Sequence, residues 1–476
     1  MALIASIIFL FLYYIRPQDW IPGMAGFNVM RPMVALWLVA LFSNRQRNES
    51  RRFFATPHDW LMLIYVGYVA WTAPNTNEAF TGFLPLVVFY ALTVQSLDKW
   101  EDLLTYLKGW NAMLLGIALI ALASLYGFDF THAGELTAQN KGRLCIGTWL
   151  HDNPNALGHS VIVVLPLSYL LYFWKGGVTG RLVIFPVQAA LAVFCTYKTE
   201  SKGSFLVGGA LFVLIFLVGR PIWVKLFVVA IAATVGISAL SMLPRMSEIG
   251  NLRADEGVQG RLMAWDEART AVKNHPTGVG WKQFNAQVKW QHEVIEMKTH
   301  SSYIQVAADL GIFGLAIYLG GIWLALRSTV GAYQLTRDDD MQERCRRTLM
   351  LLVSAYAISG WMINRSYHTE YFLAIALAGV VHRLALRAQD EQEVEPESLT
   401  SESEEHELEP PPVMPGVRLV QGQVMPRLEQ LRDTVNSSDE DRTPRLWRQL
   451  GLLDVGVCAG LTWGVLYIWD YLLKNL

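Results

Sequence analysis

The sequence predicts an all-α polytopic membrane protein of about twelve core transmembrane helices, with a large outer loop and one extra C-terminal span. Three observations carry that prediction. Of the 476 residues, 53% are hydrophobic and only 17% charged, against roughly 25% charged in an average soluble domain. The apolar residues gather into repeated runs, many about as long as the 18 or so residues needed to cross a bilayer. Aromatic residues are abundant, with 17 Trp, 18 Tyr and 21 Phe, and such side chains commonly anchor spans at the membrane interface.

Apolar runs set against their flanks give spans at residues 2–15, 31–42, 58–73, 80–95, 103–127, 156–174, 182–197, 203–219, 221–242, 303–326, 348–363 and 370–386. The first run, Ala2 to Ile15, has no basic region before it and no small-residue cleavage site, so it reads as a retained segment. The turn that follows, Arg16-Pro17-Gln18-Asp19-Trp20, suits the interface. With the N-terminus inside, the inner loops carry sixteen Lys and Arg and the short outer loops seven. Basic residues near span ends resist translocation, so the N-terminus is read as cytoplasmic and the long segment 243–302 as an outer loop. In a bacterium that face is periplasmic.

The formal charge of -2 hides an uneven distribution: residues 389–412 hold ten Asp and Glu and no Lys or Arg, leaving +8 for the rest. This acidic, Ser- and Pro-rich stretch is too poor in apolar groups to form a core and is expected to be a disordered linker. It divides the transmembrane core, 1–388, from a tail, 413–476. The tail combines an amphipathic segment at 427–448 with a further apolar run, 451–473. Asp454 and Asp470 fall inside that run, and a carboxylate there needs a partner or a place near a span end. Any partner the acidic stretch recruits would be cytoplasmic and basic. The four cysteines are far apart and form neither a disulfide framework nor a zinc spacing.

The outer segment and its borders hold the residues best suited to chemistry. They run Gly260-Arg261-Leu262-Met263-Ala264-Trp265, then Asn274-His275-Pro276-Thr277-Gly278-Val279-Gly280, then Thr299-His300-Ser301-Ser302 at the start of the next span. Arg261 to Lys273 reads as a helix, with Leu262, Trp265 and Ala268 on one face. His275-Pro276 with its two glycines is a chain reversal. From His300-Ser301, nine residues lead to Gly311-Ile312-Phe313-Gly314.

This order resembles the O-antigen ligase family, which includes O-antigen polymerases and bacterial protein O-oligosaccharyltransferases. The family signature is His, then Asn, Ser or Gln, nine residues, Gly, two residues and Gly, and every fixed position is matched. The resemblance covers residues 80–386 in layout and is sharp over 260–314. The tail lies outside it. It implies a GT-C-like membrane glycosyltransferase that moves a glycan from undecaprenyl pyrophosphate to an acceptor hydroxyl on the outer face, without metal or cofactor.

Such a reaction needs a base for the hydroxyl and fixed cations for the departing pyrophosphate. Neutral imidazole can take the proton, which makes His300 the expected catalytic residue. Arg261 is expected on the pyrophosphate, since a guanidinium fork suits phosphate oxygens. Lys202, in Glu200-Ser201-Lys202-Gly203, stands where the family usually has an Arg in Ser-Arg-Gly; it keeps the charge but not the fork. Arg365 and His368 in one short outer loop, and Arg16 in the first, are further candidates for substrate binding. Asp152-Asn153-Pro154-Asn155 resembles a family turn, and its simplest role is a helix N-cap supplied by Asp152 or Asn155.

No carboxylate pair near the outer loops suggests a divalent-metal site. The acceptor stays open between a lipid (lipid A core), another carrier-linked glycan and a protein hydroxyl, with the ligase assignment preferred over the polymerase and the oligosaccharyltransferase. Besides donor and acceptor, membrane lipid is an expected partner and nucleic acid is not. The rival from another class, a transporter of lipid-linked glycans, is disfavoured because the core spans carry few charges at mid-membrane.

Overall fold

A computed structural model describes residues 1–24, 26–45, 54–217, 221–241, 256–290, 293–405 and 449–476. The chain forms a polytopic helical bundle, and the twelve predicted segments all fall on helices where they are described. Among the described residues, eight helices of 18 residues or more are long and apolar enough to cross a membrane, from Ala2–Trp20 to Leu452–Asn475. Met30–Ser43 and Lys202–Ile215 are shorter apolar helices. The helix at the predicted span 348–363 begins earlier, at Asp340, and carries several charges in its first turns.

The elements that position the site can be taken in order. Helix α1 is Ala2–Tyr14 and a single turn, α2, is Pro17–Trp20. Helices α3 (Met30–Arg45), α4 (Pro57–Thr72), α5 (Thr76–Ser96) and α6 (Trp100–Ser124) follow. Thr56 and Asp59 cap α4 reciprocally, with Pro57 in the first turn, where its missing N–H costs nothing. After the short α7 (Ala133–Gln139) comes α8 (Pro154–Val161), capped by Asn153, whose side chain accepts from the Asn155 N–H at 2.8 Å. The cap is therefore Asn153 rather than Asp152 or Asn155, because Pro154 takes the first helical position and fixes the frame. Helices α9 (Val164–Ser168), α10 (Phe185–Thr199), α11 (Lys202–Leu217) and α12 (Ile222–Ser241) complete the first part of the bundle.

Much of the segment predicted as an outer loop is regular structure. Helix α13 is Glu256–Asn274, as its apolar face predicts, and it is followed by an antiparallel hairpin of β1 (Ala286–Trp290) and β2 (Glu293–Met297), which the sequence did not suggest. The register pairs Ala286 with Met297 and Val288 with Ile295. Ala286 and Val288 turn inward, as the period of two requires.

Then come α14 (Ser302–Gly331), α15 (Tyr333–Thr336), α16 (Asp340–Ser359) and α17 (Thr369–Glu405). The stretch from Tyr371 to Ala378 on α17 is buried throughout and forms the centre of the core with α5 and α14. Helix α17 runs beyond residue 388 to Glu405, so the first part of the stretch expected to be disordered is helical. Gln and Glu are good helix formers, and an established helix extends at little cost. The remainder of that linker, and the amphipathic segment at 427–448, lie outside the described residues.

Helix α18 (Leu452–Asn475) is the predicted C-terminal span. It lies along α14, and its two acids sit near its ends: Asp454 is paired with Arg327 and Asp470 with Arg269. That arrangement resolves the difficulty of carboxylates inside an apolar run.

Candidate functional site

The nine-residue interval of the motif is the first two and a half turns of α14, and both of its ends are fixed by other elements. At the start, the Trp265 indole of α13 donates to the Thr299 carbonyl at 2.7 Å. Ser302 N–H and the Ser301 hydroxyl both donate to the Gly360 carbonyl, at 2.7 and 3.2 Å, and the Ser302 hydroxyl donates to Ile363 at 2.9 Å. At the far end Gly311 breaks the helix with φ 69°, a conformation that suits glycine. There the Ile312 N–H donates to the Pro276 carbonyl at 2.9 Å, and a Cβ on Gly311 would come within 2.1 Å of that oxygen. The His275–Gly280 reversal thus docks against α14 at its break.

His300 lies between these anchors with φ 49°. It faces a cavity of about 530 Å³. Its imidazole makes no hydrogen bond to the protein among the described residues, although its neighbours on both sides are pinned. Burial, then the charges of Arg261 and Lys298, hold its pKa down to about 4, so the ring is neutral at physiological pH with a lone pair available.

The cavity is walled by three groups of elements. The hairpin and the turn before it contribute Lys282, Glu296 and Lys298; the loop before α8 contributes Trp149 and Asp152; the loop between α16 and α17 contributes Arg365, Tyr367 and His368. Burial lowers the Lys282 pKa and raises that of Asp152. Burial together with Arg365 and Lys282 pushes His368 well below the ordinary imidazole range, and its Nδ1 has no partner among the described residues. His151 behind it is depressed by burial and then by Arg365 and Arg16; it meets Ser160 at 3.1 Å through Nε2, while Nδ1 is unpartnered.

The sequence candidates fare differently. His300, His368 and Arg365 come together on one cavity. Arg365 is only 6% exposed, and its nitrogens are committed to the protein. It donates to Glu370 at 2.6 Å and to the carbonyls of Leu150 and Ala156 at 3.2 and 3.4 Å, so it ties three elements together. Arg16 is paired with Asp19 at 2.5 and 2.9 Å and lies over the Trp149 ring at 5.1 Å, one layer behind the cavity wall. His368 stacks on the same Trp149 ring, with centroids 5.3 Å apart.

Arg261 is not part of the cavity lining, but it is near enough for its charge to depress His300. Lys202 opens α11 outside the lining, and the next residue, Gly203, approaches His159 so closely that a Cβ would lie 3.0 Å from its Nε2. Among the lining residues without a sequence assignment are Lys282, Lys298 and Trp149, the last 60% exposed yet held by its own N–H on Asp19 at 2.9 Å. Lys298 stands two residues before His300, a signal that proximity to the motif could have supplied.

Residues 187–319 match the family model described as O-antigen ligase. The match covers less than a third of the chain and makes that segment similar to the O-antigen ligase family. It spans the elements from α10 to the first half of α14, including His300, Arg261, Lys202 and both motif glycines. No curated protein matches the chain.

Proposed function

We propose that the protein is an O-antigen ligase-type glycosyltransferase with a GT-C-like bundle in a bacterial cytoplasmic membrane. It transfers an oligo- or polysaccharide from undecaprenyl pyrophosphate to an acceptor hydroxyl on the periplasmic face. The observation that carries this proposal is the uncommitted His300 imidazole on the wall of a large polar cavity, at the start of α14. The excess of basic residues in the opposite loops supports an outward-facing cavity.

His300 takes the acceptor proton as the hydroxyl oxygen attacks the anomeric carbon. The bond from that carbon to phosphate breaks as the new one forms, and its electron pair leaves with the pyrophosphate. The sugar is inverted, and the proton passes from His300 to solvent. A ring with a pKa near 4 is a weak base, depressed most by burial and then by Arg261 and Lys298, and the bound pyrophosphate offsets the part due to those cations. The base strengthens only when donor is in place.

Arg261 and Lys202 bind the pyrophosphate, joined by Lys298 and Lys282 from the hairpin side. Arg16, Arg365 and His368 shape the sugar side. No metal takes part in this mechanism.

The test is transfer by the purified protein in lipid, with undecaprenyl pyrophosphate glycan, EDTA and separate lipid, glycan and protein acceptors. Transfer to one acceptor that His300→Ala abolishes without loss of donor binding is the expected result. Equal transfer by His300→Ala, or dependence on a divalent ion, would overturn the mechanism.

A further inference from the structure

Helix α18 lies outside both the motif and the matched region, yet it touches the elements that carry the two chief candidates for the site. Asp454, Cys458, Thr462, Val465 and Trp469 recur every three or four residues and form the face turned toward the bundle. Gly320 of α14 lets Cys458 come close, since a Cβ there would stand 3.2 Å from its Sγ. The opposite face exposes Leu453, Val455, Trp463, Tyr467 and Tyr471, as a helix on the lipid-facing rim of a bundle should.

Each end of α18 is fixed by charge. At its start Asp454 accepts from the Trp323 indole at 2.9 Å and pairs with Arg327, both on α14. At its end Asp470 pairs with Arg269 of α13 and with Lys474 at 2.5 Å, and it feels the charge of Lys273 as well. One carboxylate therefore faces three cations, two of them on α13. Without it, Arg269, Lys273 and Lys474 would repel one another and push α13 from α18. Arg269 lies about 12 Å along α13 from Arg261, at 1.5 Å per residue. Two other attachments of α13, Trp265 on Thr299 and the reversal on Gly311, lie within the matched segment, as does its packing on β1 and β2.

We propose that the C-terminal helix is a working part of the site, with Asp470 a positioning residue that holds α13, and through it Arg261, in place for the donor pyrophosphate. The proposal rests on the donor role given to Arg261 above. It also places the C-terminus on the same side of the membrane as His300.

The full chain in lipid nanodiscs tests it, by transfer rate against donor concentration for Asp470→Asn, Asp470→Lys and the charge swap Arg269→Asp with Asp470→Arg. Asp470→Asn is expected to raise donor KM about two- to fivefold with kcat kept, as a half-exposed ion pair allows. Asp470→Lys should do more, and the swap should return KM toward the native value. In an Arg261→Gln background Asp470→Asn should add little, because both changes act on the same contact. A purely structural role would instead lower Tm and multiply with Arg261→Gln.

A readout independent of turnover is thiol cross-linking of Arg269→Cys to Asp470→Cys by a short bis-maleimide in membranes. Turnover without cross-link, or with KM unmoved by Asp470→Lys, overturns the proposal. Cross-link without turnover in the native chain keeps the helix contact but removes both the positioning role of Asp470 and the ligase function.

Discussion

At the end of the bundle away from His300, Glu343 accepts from Arg346 at 2.6 and 2.7 Å and from Arg347 at 2.6 Å. Nearby, Asp340 takes Lys175, Asp454 takes Arg327, and Arg383 and Arg387 donate to the carbonyls of Leu97 and Asp98. At the His300 end, Lys282 and Lys298 line an open cavity, and the imidazoles of His300, His151 and His368 keep at least one nitrogen without a protein partner among the described residues. Polar groups filled by protein partners hold helices to one another. Those turned to a cavity are kept for something that arrives. Arg365 stands at the cavity end but belongs by its bonds to the first kind.

Substitutions can break or sharpen that contrast. His300→Ala is expected to lower the transfer rate about 10²- to 10⁴-fold, the span typical for a general base, with donor binding and Tm unchanged. Arg365→Ala would leave the half-buried Glu370 with the Tyr13 hydroxyl but without its cation, at a cost of about 1.5–3 kcal/mol, so the expected loss is in folded yield and Tm. A variant with native Tm but no donor binding would move Arg365 to the other kind. Gly311→Ala should also destabilise, because its positive φ and the Pro276 carbonyl leave no room for a Cβ.

Next in size is the pH profile. Since only neutral imidazole accepts a proton, activity falls as His300 becomes protonated on acidification. With the His300 pKa held down to about 4, kcat/KM should stay level from pH 8 to about pH 5 and fall below that. The acid limb of kcat should lie higher, because bound pyrophosphate favours the protonated ring. Arg261→Gln removes a depressing cation and should raise the limb of kcat/KM while weakening the donor. The smallest effect belongs to Lys175→Ala at the opposite end. An exposed pair contributes roughly 0–1 kcal/mol, and transfer should not change.

The helical, multi-span character was legible because apolar runs report bilayer crossing, although eight described helices rather than the expected twelve or so are long and apolar enough to cross; α13 was legible because Leu262, Trp265 and Ala268 repeat at a helical spacing. The hairpin was not, since neither Gln287-Val288-Lys289-Trp290 nor Glu293-Val294-Ile295-Glu296 is bounded by the Gly or Asn-Gly turn that usually announces one. His300 was singled out by its spacing to Gly311 and Gly314, and it lies on the cavity wall. The commitment of Arg365 was not visible, because its acceptors include main-chain carbonyls more than 200 residues away, and a sequence does not display carbonyl directions. Lys282 and Lys298 reach the cavity only through the fold of the hairpin and its preceding turn.

The break at Gly311 gives the interval before it the character of a ruler. The reversal at Pro276 fixes one end of those nine residues and the Gly360 carbonyl the other, so what they transmit to His300 is a length and a rotation. Deleting one residue between Ser302 and Gly311 would shorten the helix by about 1.5 Å and turn its first residue by about 100°, swinging the imidazole off the cavity wall. Exchanging one apolar side chain of the interval for another of similar volume leaves that rotation as it is. A signature that specifies how many residues separate His and Gly, and not which, is what such a ruler would leave in a sequence.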